Sequence, residues 1–302
     1  MIFPVGASCR PARLLLLSGA ALLALAWTTR VQAQALVFSN FSSTGGLTLT
    51  SSSTATTTSD GTVLRLVTAT TNDIGGAFST TQRNVTGGFS TAFDFRLTNP
   101  GGSSDGTATG ADGFVFVIQH IGVNALGASG EGIGFLNIGA ASVGVEFDTF
   151  NNSGSPRFDP SSNHLGVDIG GSVTSVATAN VSPDFDNGAK WTGWIDYNAS
   201  ASTLDVRVSN TGVRPTSANL SYTISPATLT TTLGGASAFI GFTAATGGAF
   251  EKTDIVAWTF ADQYVPGGVM PGLAVPEPST YALLALGLGA MLAGRRWTRR
   301  GR

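Results

Sequence analysis

Cysteine occurs once in the 302 residues, at Cys9, so no disulfide can form within the chain. Histidine occurs twice, at His120 and His164, which leaves a Ser-His-Asp constellation almost no members to draw on. Charged residues make up only 11% of the chain. Between residues 36 and 275 eight bases stand against seventeen acids, a net of minus nine that the whole-chain value of minus two conceals. So acidic a stretch is ill suited to nucleic acid, where Lys and Arg must neutralise phosphates. No apolar run reaches the roughly 20 residues of a comfortable membrane span. No helical period is found between the two ends, which excludes a helical bundle.

The ends are read as processing signals. Arg10 and Arg13 precede an apolar run from Leu14 to Trp27, followed by small-residue cleavage sites ending at Ala33 or Ala35. Residues 1–35 therefore read as a secretory signal peptide, and Cys9 would leave with it. At the other end lie Pro276-Glu277-Pro278, an apolar run from Tyr281 to Gly294, and five arginines after it. By itself this is a short membrane anchor held by positive charge, a transmembrane helix at most marginal in length. The stretch 263–275, with Pro266, Gly267, Gly268, Pro271 and Gly272, reads as a linker to that tail.

Between the ends lie about 230 residues, enough for one large domain. Phe93, Phe95 and Leu97 alternate with Asp94, Arg96 and Thr98, and Leu204, Val206 and Val208 with Asp205, Arg207 and Ser209. These are half-buried strands. Gly113 to Ile118 and Phe239 to Phe242 are continuously apolar and read as strands buried on both faces. Gly, Ser and Thr clusters between the runs supply turns, and the whole reads as an all-β sandwich or barrel. The Ser/Thr run from Thr48 to Ser59 is read as one early strand and its turn.

The segment VGVEFDTFNNSGSPRFDPSSNHLGVD, residues 143–168, carries the densest chemistry. Alternation puts Glu146 and Asp148 on one face, roughly 6.5 to 7 Å apart, with Val145 and Phe147 toward the core. Two carboxylates that close on a half-buried sheet repel each other unless a cation neutralises them. Asn152, Asp159 and His164 follow on the returning turn. Asp148, Asn152, Asp159 and a main-chain carbonyl suit calcium, whereas Glu146, Asp148, Asp159 and the His164 imidazole suit manganese or another transition ion. Asp148 and Asp159 would bridge the two. His120, at the end of FVFVIQH, has no such company and reads as an ordinary strand-end histidine.

At these residues the chain resembles the legume-type (L-type) lectins, which carry a VAVEFDT strand followed by a D-P-x-x-x-H-x-G-x-D turn and strand. LVFSNFSS, IGGAFSTTQRNVTGGFSTAFDFRL, ADGFVFVIQ, WTGWIDYNASASTLDVRVS and IGFTAATGGAFEKTDIVAWTF follow the same family's pattern in its order. The resemblance implies a jelly-roll β-sandwich of antiparallel sheets over residues 36–262. It implies Ca2+ and Mn2+ at the positions above, with the calcium-binding carbonyl on Phe150. It further implies a sugar site: Asp112 behind a cis Ala111-Asp112 peptide, the Asn152 amide, the Phe150 ring, a glycine-loop N–H at Gly132 or Gly130, and an open rim at Gly247 and Gly248. The tail at 276–302 resembles the PEP-CTERM sorting signal, which in bacteria carrying it is cleaved by an exosortase at the outer side of the inner membrane. The expectation is a protein exported to the cell surface or extracellular matrix, in transient contact with the inner membrane through its tail, that binds exopolysaccharide. Two other readings stay open. A laminarinase-like glycoside hydrolase shares the sandwich, but needs a second acid where Phe150 stands. A structural matrix protein would use the metals for stability alone.

Overall fold

The computed structural model describes residues 35–273 apart from 107, 108 and 155. In chain order the strands are β1 (Ala35–Phe38), β2 (Leu47–Ser51), β3 (Thr54–Thr58), β4 (Gly61–Val67), β5 (Ile74–Ser79), β6 (Arg83–Asn84), β7 (Phe89–Gly102) and β8 (Gly113–Gln119). There follow β9 (Ser142–Asp148), β10 (His164–Ile169), β11 (Ala177–Asn180), β12 (Trp191–Asn198), β13 (Thr203–Ser209), β14 (Leu220–Thr223), β15 (Ser237–Ala245) and β16 (Ala249–Ala261). One sheet runs β14-β13-β12-β7-β16-β4-β3, with β1 also on β16; the other runs β11-β10-β9-β8-β15-β5-β2, with β6 on β15. Every pairing is antiparallel, and the result is the expected jelly-roll sandwich.

Aromatic rings fill the space between the sheets. Phe93 and Phe95 of β7 meet Phe114, Phe147 and Phe242 of the opposite sheet, with Phe114 stacked on Phe147 at 4.6 Å and Phe93 edge-on to Phe242 at 5.0 Å. Gly193 on β12 makes this possible, since a Cβ there would lie 2.9 Å from the Phe93 ring. The alternation expected for β7 holds: Phe93, Phe95 and Leu97 are buried, and Asp94, Arg96 and Thr98 are partly exposed. β8 is buried throughout, as a continuous apolar run requires.

Its outer face is covered by a second apolar layer. Val115 and Val117 pack there against Ile133, Phe135 and Ile138 from the loop between β8 and β9. The Phe135 ring of that loop also covers β9 at Gly144. Glu146 and Asp148 are fully buried, 2% and 4% exposed, where a half-buried face was expected, with Ser175 and His164 against Glu146 and the Phe150 N–H on Asp148.

Three readings of the sequence are corrected. The Ser/Thr run forms two strands, β2 and β3, and these belong to opposite sheets. An eight-residue helix, α1 (Pro226–Leu233), interrupts the β-structure, with the Ser225 side chain accepting from the Thr228 N–H and Gly234 left-handed at its end. The stretch read as a linker is docked on the domain up to Leu273. Val265 and Val269 join Ala92, Trp194 and Ala261 in an apolar cluster, and the Trp194 indole donates to the Val269 carbonyl at 3.1 Å. His120 lies just past β8, exposed, with Nδ1 3.2 Å from the Leu233 carbonyl. Among the described residues no helix is long and apolar enough to cross a membrane. The signal peptide and the apolar tail, where a transmembrane helix was expected, lie outside the described residues.

Candidate functional site

Strand register assembles the acidic residues. β9 and β10 pair with His164 opposite Asp148 and Gly166 opposite Glu146, while β8 sets Gly113 opposite Asp148. Gly166 is what gives Glu146 its place, because a Cβ there would stand 2.1 Å from Glu146 Oε1. His164 Nε2 faces Glu146 Oε1 at 3.3 Å, and its Nδ1 lies 3.1 Å from the Ser161 carbonyl. Donating there from Nδ1 leaves Nε2 with its lone pair toward a carboxylate. Among the described residues Nε2 has no hydrogen-bond partner. Two acceptors facing each other in a buried space fit a cation between them.

The carboxylates carry the same message. Burial pushes the Asp148 carboxyl well above the ordinary range, with the charges of Glu146 and Asp159 adding to it. Asp159 is raised chiefly by burial, against the N–H of Asn152 that it accepts at 2.6 Å. Asp168 is raised by burial and by Glu146, and Ser175 Oγ donates to it at 2.8 Å while also bonding Glu146. Among the described residues no three acidic, histidine or cysteine side chains converge on one point. Asp148 Oδ1 accepts from the Phe150 N–H, Asp159 from the Asn152 N–H, and Glu146 from Ser175 Oγ. Their chemistry, oxygen with one imidazole, fits calcium and a transition ion. An opening of about 150 Å³ is bordered by Phe158, Asp159, His164 and Ser175.

Asp112 stands beside this group. The Ala111-Asp112 peptide is cis, as the resemblance implied. Asp112 N–H donates to the Ala245 carbonyl at 3.2 Å, and its own carbonyl accepts from Thr149 N–H at 3.3 Å, which ties it to the strand end carrying Asp148 and Phe150. Its carboxyl is 4% exposed as a residue, and Oδ2 has no hydrogen-bond partner among the described residues. Burial raises it to about 7, with Glu131 and Asp159 contributing next.

The glycines divide. A Cβ on Gly247 would come 3.2 Å from Gly130 Cα and 3.3 Å from Asp112 Oδ2, so Gly247 and Gly130 form the rim over Asp112. Gly248 faces Ser103. Gly132 is turned inward against Ala128 and Leu136, with its N–H on the Ser129 carbonyl. Of the two loop glycines left open by the sequence, Gly130 is the one that meets Gly247. Phe150 and Asn152 are half-buried one turn away.

Sequence reasoning missed several residues here. Asp168 shares the face of His164 and Gly166, so parity along β10 was the available signal. Glu251 is fully buried and accepts from Thr149 Oγ1 at 2.8 Å, and Asp105 accepts from Asn151 N–H at 2.9 Å. Glu131 pairs with Arg157 at 2.8 Å. These join segments far apart in the chain, and no local pattern announces them.

A jelly roll with a buried acidic strand end and a glycine-rimmed aspartate beside it defines a lectin-type fold with a carbohydrate-binding architecture. The legume lectin domain family matches residues 33–268, and the chain belongs to that family. A PEP-CTERM protein-sorting motif matches residues 274–300. Among similar proteins, lectin DB58 of Vigna unguiculata subsp. cylindrica is 33% identical over 186 residues, 58% of this chain and 60% of that one. The L-type lectin-domain containing receptor kinase VIII.1 of Arabidopsis thaliana is 30% identical over 181 residues, 58% of this chain and 24% of the kinase. The chain thus spans about a quarter of those kinases and about three-fifths of the plant lectins it matches. Basic winged bean lectin with Tn-antigen superposes with a TM-score of 0.61 at 29% identity, over 76% of this chain and 98% of that one. Winged bean acidic lectin complexed with methyl-α-D-galactose gives 0.62 at 25%, with the same coverage.

Proposed function

We propose that this protein is an exported, calcium-dependent carbohydrate-binding protein without catalytic activity, directed at extracellular polysaccharide. The observation that carries this reading is the Asp112 carboxylate: buried, with an oxygen unpaired among the described residues, under a rim of two glycines. A buried acceptor without a donor costs stability unless a ligand supplies one, and sugar hydroxyls are donors.

Calcium would be held by Asp148, Asn152, Asp159 and the Phe150 carbonyl, and a transition ion by Glu146, Asp148, Asp159 and His164. Bound there, the ions supply positive charge that lets the buried carboxylates stay ionised and fixes the loop from Phe150 to Asp159. The chain's own residues do the recognition. Asp112 accepts from hydroxyls, the Asn152 amide donates, the Phe150 ring covers an apolar sugar face, and Gly247 leaves room for the ring to enter. Export through the signal peptide and release from the inner membrane by an exosortase would deliver the domain to the cell surface or matrix.

Galactose and N-acetylgalactosamine are the first probes, since related lectins are known in complexes with methyl-α-D-galactose and with Tn-antigen. The test is a glycan array with and without chelator, alongside reducing-sugar release from β-glucans. Chelator-sensitive binding without release is expected. Sugar release would return the hydrolase reading, and metal-replete protein that binds no glycan would return the matrix reading.

A further inference from the structure

Resting on the carbohydrate-binding reading, we infer that the Arg157–Glu131 ion pair is a positioning latch that couples the ion-binding loop to the wall of the sugar pocket. The pair bridges two segments with different tasks. Arg157 lies between Asn152 and Asp159, both candidate ion ligands, on a loop folded back by the Arg157 N–H and Phe158 N–H on the Gly154 carbonyl. Thr174 Oγ1 donates to the Pro156 carbonyl at 2.7 Å and pins the same loop to the strand side. Glu131 sits in the 3-10 turn Gly130–Gly132, whose Gly130 N–H donates to the Thr246 carbonyl at 3.0 Å and whose Gly130 forms the rim with Gly247 over Asp112.

Arg157 Nη2 reaches Glu131 Oε1 at 2.8 Å, with the Arg157 side chain only 12% exposed and Glu131 47% exposed. A guanidinium this covered is held in one place, so the glycine turn is placed relative to the ion loop through Glu131. The pair also balances charge. Glu131 is among the groups whose charge acts on Asp112, and without Arg157 an unpaired carboxylate would face the pocket. Ordering of the loop by ions thus reaches the pocket wall through one contact, and sugar affinity depends on that contact even when the ions stay bound.

The test uses the whole protein, loaded with calcium and manganese, on immobilised galactose- and N-acetylgalactosamine-terminated glycans, with metal content measured on the same samples. Arg157→Gln is expected to bind sugar about fivefold more weakly, the upper range for a partly exposed pair, with metal content unchanged. Arg157→Lys keeps the charge without the planar fork and recovers part of the affinity. The charge-swapped double variant Arg157→Glu with Glu131→Arg is expected within about twofold of the wild type, which simple loss of folding would not allow. Wild-type sugar binding by Arg157→Gln, loss of metal in step with sugar, or no recovery in the swap would each overturn the latch. A metal-loaded wild type that binds neither glycan overturns the carbohydrate reading and the latch together.

Discussion

Burial, with neighbouring acids adding to it, raises the Asp112 carboxyl to about 7 and pushes Asp148 well above the ordinary range. In the unfolded chain both ionise near 4. A folded value raised above the unfolded one means stability fully present below about pH 4 and lost as pH rises through the folded values. Metal-free protein is therefore expected to melt at a higher temperature at pH 5 than at pH 8. Calcium and manganese should raise the pH 8 value more, because they neutralise the groups that repel. Thermal melts at the two pH values, with and without ions, check both signs, and a metal-free protein more stable at pH 8 would contradict them. Gly247 gives a second expectation. Its φ is not in the left-handed region, but Gly247→Ala places a methyl 3.2 Å from Gly130 Cα and 3.3 Å from Asp112 Oδ2, so the rim must shift by a few tenths of an ångström. Sugar binding is expected to fall at least tenfold, with a smaller loss of melting temperature from the crowded rim. A calorimetric titration beside a melt separates the two.

At the scale of elements, legibility followed the strength of local pattern. β7 and β8 were readable because alternation and continuous apolar runs report burial directly. The grouping of Glu146, Asp148 and His164 was readable because these residues lie within residues 146–164, on adjacent antiparallel strands. α1 was not, since eight residues give two turns and only Leu229 and Leu233 are buried. Its caps, Ser225 before Pro226 and Gly234 after Leu233, were the available signal. Ser225→Ala is expected to cost about 1 kcal/mol, a fall of roughly 2 to 4 °C in melting temperature for a domain of this size. The split of the Ser/Thr run between two sheets was also hidden: threonines and serines carry too little apolar contrast to show which face they bury. Asp112 and Gly247 sit in local motifs, whereas the approach of Gly130 to Gly247 is a contact across the fold that no local pattern announces.

For the whole molecule, the docked segment after β16 matters most. Proline and glycine made it look like a free tether. Yet Val265 and Val269 cover Trp194 and Ala92 on the outer face of the sheet, Val265 N–H bonds Ser90 Oγ at 3.0 Å, and Thr259 Oγ1 bonds the Leu273 carbonyl at 3.1 Å. A chain ending at 262 is expected to be less stable than one ending at 273 by about 2 to 4 kcal/mol, the burial of two valines and part of a tryptophan. Denaturant unfolding of the two chains measures it, and equal midpoints would show the segment to be idle. Among the described residues the segment stays docked as far as Leu273. On the proposed function, a millimolar affinity for a single sugar, about 4 kcal/mol, would require several copies or a repeating ligand for retention on a polysaccharide.

The account turns on Asp112 working beside bound ions. The most direct measurement is galactose- or N-acetylgalactosamine-glycan binding by wild type and Asp112→Ala, each with calcium and manganese and again after chelation. Binding by the ion-loaded wild type alone, with Asp112→Ala still retaining its metals, is the result expected. Equal binding by the two proteins, or binding that survives chelation, would contradict it.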